Sequence, residues 1–398
     1  MENKNLRKGY TTGSCSAAGT AAALMGIFAD EKIKKWILSG PTGLDILVPI
    51  TSVEKLDKYS ATAIVTKDGG DDPDITTGAK IFITCRLVNK IDELNENDNK
   101  GYFLSNRIYL KAGKGIGIVT KPGLACPEGK AAINPVPRKM ILGEAEKLLE
   151  KYDYEGGLII EISIPKGVEL AEKTFNPKLG IVGGISILGT SGQVNPMSSQ
   201  AILDTIKVEL SVAKAMSNRE LNEKNSIVLT PGNYGYDFFR NYSEDRIIKV
   251  SNFIGQGVVM AAEAGFSEII ISGHLGKIIK VAGGMMDTHS KNGDNRVATA
   301  VEVWNSLQSR LMLAEKNRDK VATAISECVM VDEILRVVLD AVGQEGLQEF
   351  SREIGRKTLF NLKKNLVKVN PKYDKIIINL VMFTNKFGLL YKGGTTEI

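Results

Sequence analysis

The sequence predicts two domains, an α+β domain over residues 1–188 and a small α/β domain with a mostly parallel sheet over residues 189–398. Three observations carry that prediction. Before about residue 190 there are short β-branched stretches and few helices, including one stretch, Leu158 to Ile164, in which Ile160, Ile162 and Ile164 alternate with Ile159, Glu161 and Ser163. Past residue 180 the rhythm becomes strand, glycine loop, helix, repeated three times, as a parallel sheet with right-handed crossovers requires. The chain has 398 residues, 43% of them hydrophobic and 24% charged, enough for two substantial cores.

In chain order, an alanine-rich apolar run from Ala17 to Ala29 is expected to form a buried helix. It follows Lys4, Arg7 and Lys8 as a secretory leader would, but it contains Gly19, Thr20 and Gly26 and lacks a small-x-small cleavage site. Strands are expected at Ile33–Leu38, Leu44–Ile50, Ala61–Thr66, Lys80–Val88, Arg107–Lys111 and Leu158–Ile164. A solvated loop is expected at Asp92–Lys100, and a helix from Pro137 to about Tyr152, ended by Gly156-Gly157. Past residue 180, strand Ile185–Leu188 leads through Gly189–Gly192 to a helix over Ser198–Met216. Strand Ser226–Thr230 leads through Pro231–Gly235 to a helix over Asn252–Ala264, and strand Glu268–Ser272 leads through a long glycine-studded segment to a helix over Asp294–Glu315. Helices over Val321–Val342 and Leu347–Leu366 and a strand over Lys375–Phe383, with a hairpin through Asn385-Lys386, close the chain. All three glycine loops follow strand carboxyl ends, so they are expected together on the edge where open α/β sheets bind ligands.

The surplus of 51 Lys and Arg over 46 Asp and Glu is spread without a basic tail, which argues against nucleic acid and leaves room for a polyanionic small molecule. The four cysteines, Cys15, Cys85, Cys126 and Cys328, are far apart, which argues against a zinc site or disulfide framework and fits a cytoplasmic protein without a membrane partner. The sequence leaves open whether the chain forms a homo-oligomer.

Both histidines of the chain, His274 and His289, lie in the segment Ile270–Ser290 beside Lys277 and Lys280. Imidazole exchanges its proton near neutral pH, so the pair points to a site, although each alone reads as well as the end of a strand or the cap of a turn. Thr230-Pro-Gly-Asn-Tyr-Gly235 permits close backbone approach, yet neither a dinucleotide fingerprint nor a P-loop is present. Gly9-Tyr-Thr-Thr-Gly-Ser14 enters a helix with Ser14 as expected N-cap, leaving N–H groups outward as a seat for an anion. Asp68–Gly78 concentrates carboxylates in a turn that lacks calcium-loop spacing. Arg138 and Lys139 oppose the dipole of the helix they begin, a cost without evident local benefit that suggests an anionic ligand.

Together, Gly9-Tyr-Thr-Thr-Gly-Ser-Cys15, Lys67-Asp-Gly-Gly-Asp-Asp-Pro-Asp74, Ile133-Asn-Pro-Val-Pro-Arg138, Gly189-Thr-Ser-Gly192, Thr230-Pro-Gly-Asn-Tyr-Gly235 and Gly273-His-Leu-Gly-Lys277 through Ala282-Gly-Gly to Thr288-His-Ser290 resemble the CbiD family. Gly69 and Thr77 depart from its pattern, standing where alanine and a histidine or asparagine are expected. The resemblance implies a domain similar to ribosomal S5 domain 2 followed by the α/β domain. It also implies methyl transfer from S-adenosylmethionine to C-1 of cobalt-precorrin-5B, giving cobalt-precorrin-6A, in anaerobic cobalamin biosynthesis. Cobalt then belongs to the substrate, with no metal held by the protein; the alternative is a non-catalytic corrinoid carrier or scaffold. On this reading Gly189, Thr190, Ser191, Gly192, Thr230, Gly232, Asn233 and Gly235 seat the S-adenosylmethionine co-substrate. Thr11, Thr12, Ser14, Asp71, Asp72, Arg138 and Lys277 hold the corrinoid, and His274 and His289 manage the proton.

Overall fold

The computed structural model describes residues 6–91, 100–219, 225–239, 246–307 and 315–397, so the expected loop at Asp92–Lys100 lies almost wholly outside the described residues. The chain forms two compact units, residues 1–199 and 200–398. Both mix helices with sheets, and the sheets mix parallel and antiparallel pairs.

In the first unit a six-stranded sheet runs in the order Ser52–Lys55, Ser60–Thr66, Lys80–Val88, Gly157–Ser163, Ile108–Ala112, Tyr102–Ser105. Its pairs are antiparallel except Gly157–Ser163 with Ile108–Ala112. The alternation in the sequence is seen directly, with Ile160, Ile162 and Ile164 buried. The alanine run becomes the helix Thr12–Phe28, buried from Thr12 to Ile27. A helix apolar on every side must be enclosed, and small residues let it approach: a Cβ on Gly19 would sit 2.3 Å from Ile83 Cδ1. The expected strands near 33–38 and 44–50 form a separate two-stranded ribbon, Lys35–Ser39 with Asp45–Pro49.

In the second unit a five-stranded sheet has the order Ile247–Lys249, Ser226–Thr230, Glu268–His274, Ile377–Thr384, Gly388–Gly394. The first four strands are parallel, and the hairpin after Thr384 adds the antiparallel fifth. From Ser226–Thr230 the chain goes to one side of the sheet and from Glu268–His274 to the other. Their carboxyl ends therefore flank a topological switch point, the place where such sheets bind ligands.

Several expectations are corrected. Ile185–Leu188 contributes no strand to this sheet; Ile185 and Ile187 make only isolated bridges, to Ile116 and Ile133, so the 189–192 loop belongs to the first unit. Only two glycine loops share the sheet edge. The segment after Ser272 is not all loop, because Leu275–Ala282 is a helix capped by His274. The helix expected over 294–315 is Arg296–Ser306, and Glu315–Ser326 is a separate helix. Val331–Val369 is one long helical run kinked at Gly343, where φ is +70°.

Candidate functional site

In the first unit, three glycine-rich segments close on one another. Thr11 is the N-cap of the Thr12–Phe28 helix: its Oγ1 accepts from Ser14 N at 3.2 Å, so Thr11 takes the capping role expected of Ser14. Gly13 N donates to Leu188 O at 3.0 Å, Thr11 N donates to Gly192 O at 3.1 Å, and the Ser14 hydroxyl donates to Gly192 O at 2.6 Å. Thr12 Oγ1 accepts from Leu188 N at 2.9 Å. The outward anion seat is thus occupied by the chain's own carbonyls, and Thr11, Thr12 and Ser14 are buried. Gly189, at φ +141°, has no room for a side chain, since a Cβ would lie 2.2 Å from Thr11 Oγ1. Of that loop only Thr190 is exposed, with Ser191 half-buried.

The acidic loop is similarly self-satisfied. Arg7 forks onto Asp68 at 2.5 and 3.0 Å, Asp71 accepts from Arg7 N at 2.7 Å, and Asp72 accepts from Met197 N at 3.0 Å. Asp74 accepts from Thr76 and pairs with buried Lys67 at 2.8 Å. Burial pushes the Asp74 carboxyl up, but the bonds from Lys67 and Thr76 outweigh it and hold the group below its ordinary value. Gly69 N donates to Thr77 Oγ1 at 3.2 Å, and a Cβ at 69 would sit 2.6 Å from that oxygen. The two departures from the family pattern therefore fit each other. Arg138 lies over the Tyr102 ring at 4.0 Å, a local benefit that offsets part of the dipole cost, and its buried Nε has no hydrogen-bond partner among the described residues. Cys15 is wholly buried, which pushes its thiol up to about 12 and leaves it inert.

The second unit's switch point is built differently. Thr230 Oγ1 donates to Gly232 O at 2.6 Å and Ser272 Oγ donates to Gly235 O at 3.2 Å, which fixes the turn that carries Asn233. Lys277 Nζ donates to Pro231 O at 2.8 Å and Ser251 O at 3.2 Å, tying the helix to the loops after two parallel strands. Lys280 Nζ donates to Thr288 O at 3.4 Å and Gly293 O at 3.3 Å. A cavity of about 380 Å³ is lined by Asn252, Lys277, Lys280, Thr288, His289 and Arg296, among others. Burial, then the Lys280 charge, holds Lys277 below its ordinary value.

Both imidazoles use Nδ1 in the same way. His274 Nδ1 accepts from Gly276 N and His289 Nδ1 accepts from Lys291 N, each at 3.1 Å. An acceptor Nδ1 places the proton of the neutral ring on Nε2, so the nitrogen turned away from the backbone is a donor. Burial pushes His274 down, against a smaller upward pull from Asp332, which favours this neutral form. As arranged, each ring offers a hydrogen bond and holds no free basic nitrogen.

The CbiD family model matches residues 1–196. A protein of Thermoanaerobacter sp. (strain X514) named cobalt-precorrin-5B C(1)-methyltransferase is 38% identical over 99% of this chain and 97% of its own length. The chain belongs to the CbiD family. A relative of the same name from Methanocaldococcus jannaschii is 43% identical to this CbiD chain over 74% of it and 75% of the relative. The crystal structure of the cobalamin biosynthesis protein CbiD from Archaeoglobus fulgidus, 24% identical, covers 72% of this chain and 84% of its own, with a TM-score of 0.37.

For this CbiD chain, sequence reasoning missed the Lys67–Asp74 pair and the burial of Lys280, which it placed only as a neighbour of the histidines. The Lys67–Asp74 pair, with Lys67 buried and Asp74 half-buried, lies inside the acidic loop, and its only signal is a lysine directly before the aspartates. Lys280 is 7% exposed. Its signal is a lysine within the apolar run Leu275, Ile278, Ile279, Val281, visible only once the segment is given helical period.

Proposed function

We propose that this chain transfers the methyl group of S-adenosylmethionine to C-1 of cobalt-precorrin-5B, giving cobalt-precorrin-6A in anaerobic cobalamin biosynthesis. The observation that carries the reading is the match, over 99% of the chain, to a relative named for that activity. The name favours an enzyme over a carrier. The methyl donor and the residues that meet each ligand are our assignment. So is the likeness of the first domain to ribosomal S5 domain 2.

The carbon–sulfur bond breaks as the new carbon–carbon bond forms, the electron pair stays on sulfur, and the substrate gives up one proton to solvent water, since neither imidazole presents a free basic nitrogen. The sulfonium is already an activated leaving group, so alignment counts most: well-oriented reactants gain roughly 7–11 kcal/mol, against about 10²- to 10⁴-fold in rate from acid–base assistance. In the second unit the Thr230–Gly235 turn, with Gly232 and Asn233, seats the donor. Lys277 binds carboxylate, and the Nε2–H groups of His274 and His289 orient or donate to substrate. In the first unit Thr190, Ser191, Asp71, Asp72 and Arg138 are the groups assigned to ligand, and Thr11, Thr12, Ser14, Gly189 and Gly192 hold that loop in shape. Among the described residues there is no group of three or more metal-binding side chains; cobalt arrives with the substrate.

Incubation of the full chain with methyl-labelled S-adenosylmethionine and cobalt-precorrin-5B, followed by mass analysis, is expected to give a corrinoid heavier by one labelled methyl group. A chain that binds the corrinoid but neither binds S-adenosylhomocysteine nor transfers label is a carrier, and the proposal fails.

A further inference from the structure

The cavity of about 380 Å³ in the second unit holds more positive charge than the chain neutralises. Its one lining acid, Asp294, is engaged by the Arg296 fork, with Nε at 2.9 Å from both oxygens and Nη2 at 2.6 Å from Oδ2. That pair leaves Lys277 and Lys280, whose partners among the described residues are all backbone carbonyls. A carbonyl accepts a hydrogen bond but carries no charge, and each ammonium spends only two of its three donors in this way. The two lysines lie three residues apart on one helix, where like charges repel, and Lys280 is 7% exposed, where an unneutralised charge is costly. An arrangement that breaks local rules without a compensating contact marks a binding site.

We infer that this cavity is a carboxylate seat, formed by the ammonium groups of Lys277 and Lys280 together with the Nε2–H of His289. Phosphate is the poorer fit. Phosphate cradles use runs of free backbone N–H groups, and here Gly276 N and Lys291 N are already given to the two imidazoles. The cavity admits an acid-bearing arm and not a whole tetrapyrrole. Two sources of that arm follow from the proposed function, on which only this part rests: the methionine end of the methyl donor, or an acid side chain of the macrocycle.

The test is acylation of Lys277 in the full-length protein by an amine-reactive ester, read by peptide mass spectrometry at matched ionic strength. Citrate is expected to slow labelling of Lys277 relative to exposed Lys372, and trimethyl citrate is not. S-adenosylhomocysteine against methylthioadenosine, and cobyrinic acid against its methyl ester, identify the source by which acid protects. Loss of one charged hydrogen bond in Lys280→Met is expected to weaken the protecting acid by about ten-fold or more; if that variant does not fold, His289→Ala, which removes the Nε2–H of the seat and leaves Lys277 to be read, is expected to weaken it in the same direction. No protection by any acid, or unchanged affinity in a folded variant, overturns the seat. If citrate protects but neither S-adenosylhomocysteine nor cobyrinic acid binds, the seat stands and the methyl-transfer reading falls. If both bind without protecting Lys277, the seat falls and that reading stands.

Discussion

The glycine-rich loops of the first unit and the strand ends of the second share residue types but dispose of their polar groups in opposite ways. At 7–14, 68–78 and 188–192, the hydroxyls of Thr11, Thr12, Ser14 and Ser191 and the aspartates are spent on other parts of the chain, and Lys67 is neutralised by Asp74. At 230–235 and 274–296, carbonyls hold the lysines without neutralising them, and the imidazoles keep a donor outward. The contrast teaches that the same residue types serve mainly the fold in the first region and leave charge over for a ligand in the second. Capping and internal ion pairs account for most polar groups of the first region; in the second they leave the lysines unneutralised.

Substitutions sharpen that contrast, and the largest effect is expected at Lys67. Lys67→Met leaves the half-buried Asp74 with its Thr76 bonds alone and should cost about 1–3 kcal/mol in urea unfolding. In the parent chain the depressed Asp74 value means that its contribution is complete above the ordinary carboxylate value of about 3.9 and is lost as pH falls through the lower folded value. The variant should lack this acid-sensitive component. Gly70→Ala comes next, because φ is +68° and the new Cβ would lie 2.0 Å from Arg7 O; a loss of more than about 1 kcal/mol is expected by the same method. Thr11→Ala removes a helix cap, worth about 1 kcal/mol. Its affinity for S-adenosylhomocysteine, measured by calorimetry, should fall only modestly, through the 189–192 loop that Thr11 holds in shape, and a variant of unchanged stability that no longer binds would erase the distinction between the two regions. The smallest stability effect is expected at Lys280→Met. Relief of a buried charge and loss of two carbonyl bonds oppose each other there, so the ligand-free protein should change by no more than about 1 kcal/mol.

Much of the architecture was legible because it is written in local period. The alternation of Leu158–Ile164, the alanine helix and the strands at 226–230 and 268–272 all follow from side chains that must face a core. The misplacement of residues 185–188 has a different cause. An apolar run of four residues reads as a strand wherever it lies, and only long-range pairing to Ile116 and Ile133 assigns it to the first unit. The Leu275–Ala282 helix was hidden because glycines flank it and its cap is a histidine, outside the usual serine, threonine, aspartate and asparagine set. The sequence singled out His274, His289 and Lys277 as candidates but could not show the tautomers of the two imidazoles, which depend on the backbone N–H two residues further on. Arg138 was read against the helix dipole because its partner, Tyr102, is distant in the chain.

The contact between Gly69 and Thr77 has a consequence for how this family can drift. A methyl group at 69 would collide with the hydroxyl at 77, and losing the hydroxyl would strand the amide at 69. The two positions are bound to change as a couple, so that a protein carrying alanine at the first should carry some other residue at the second.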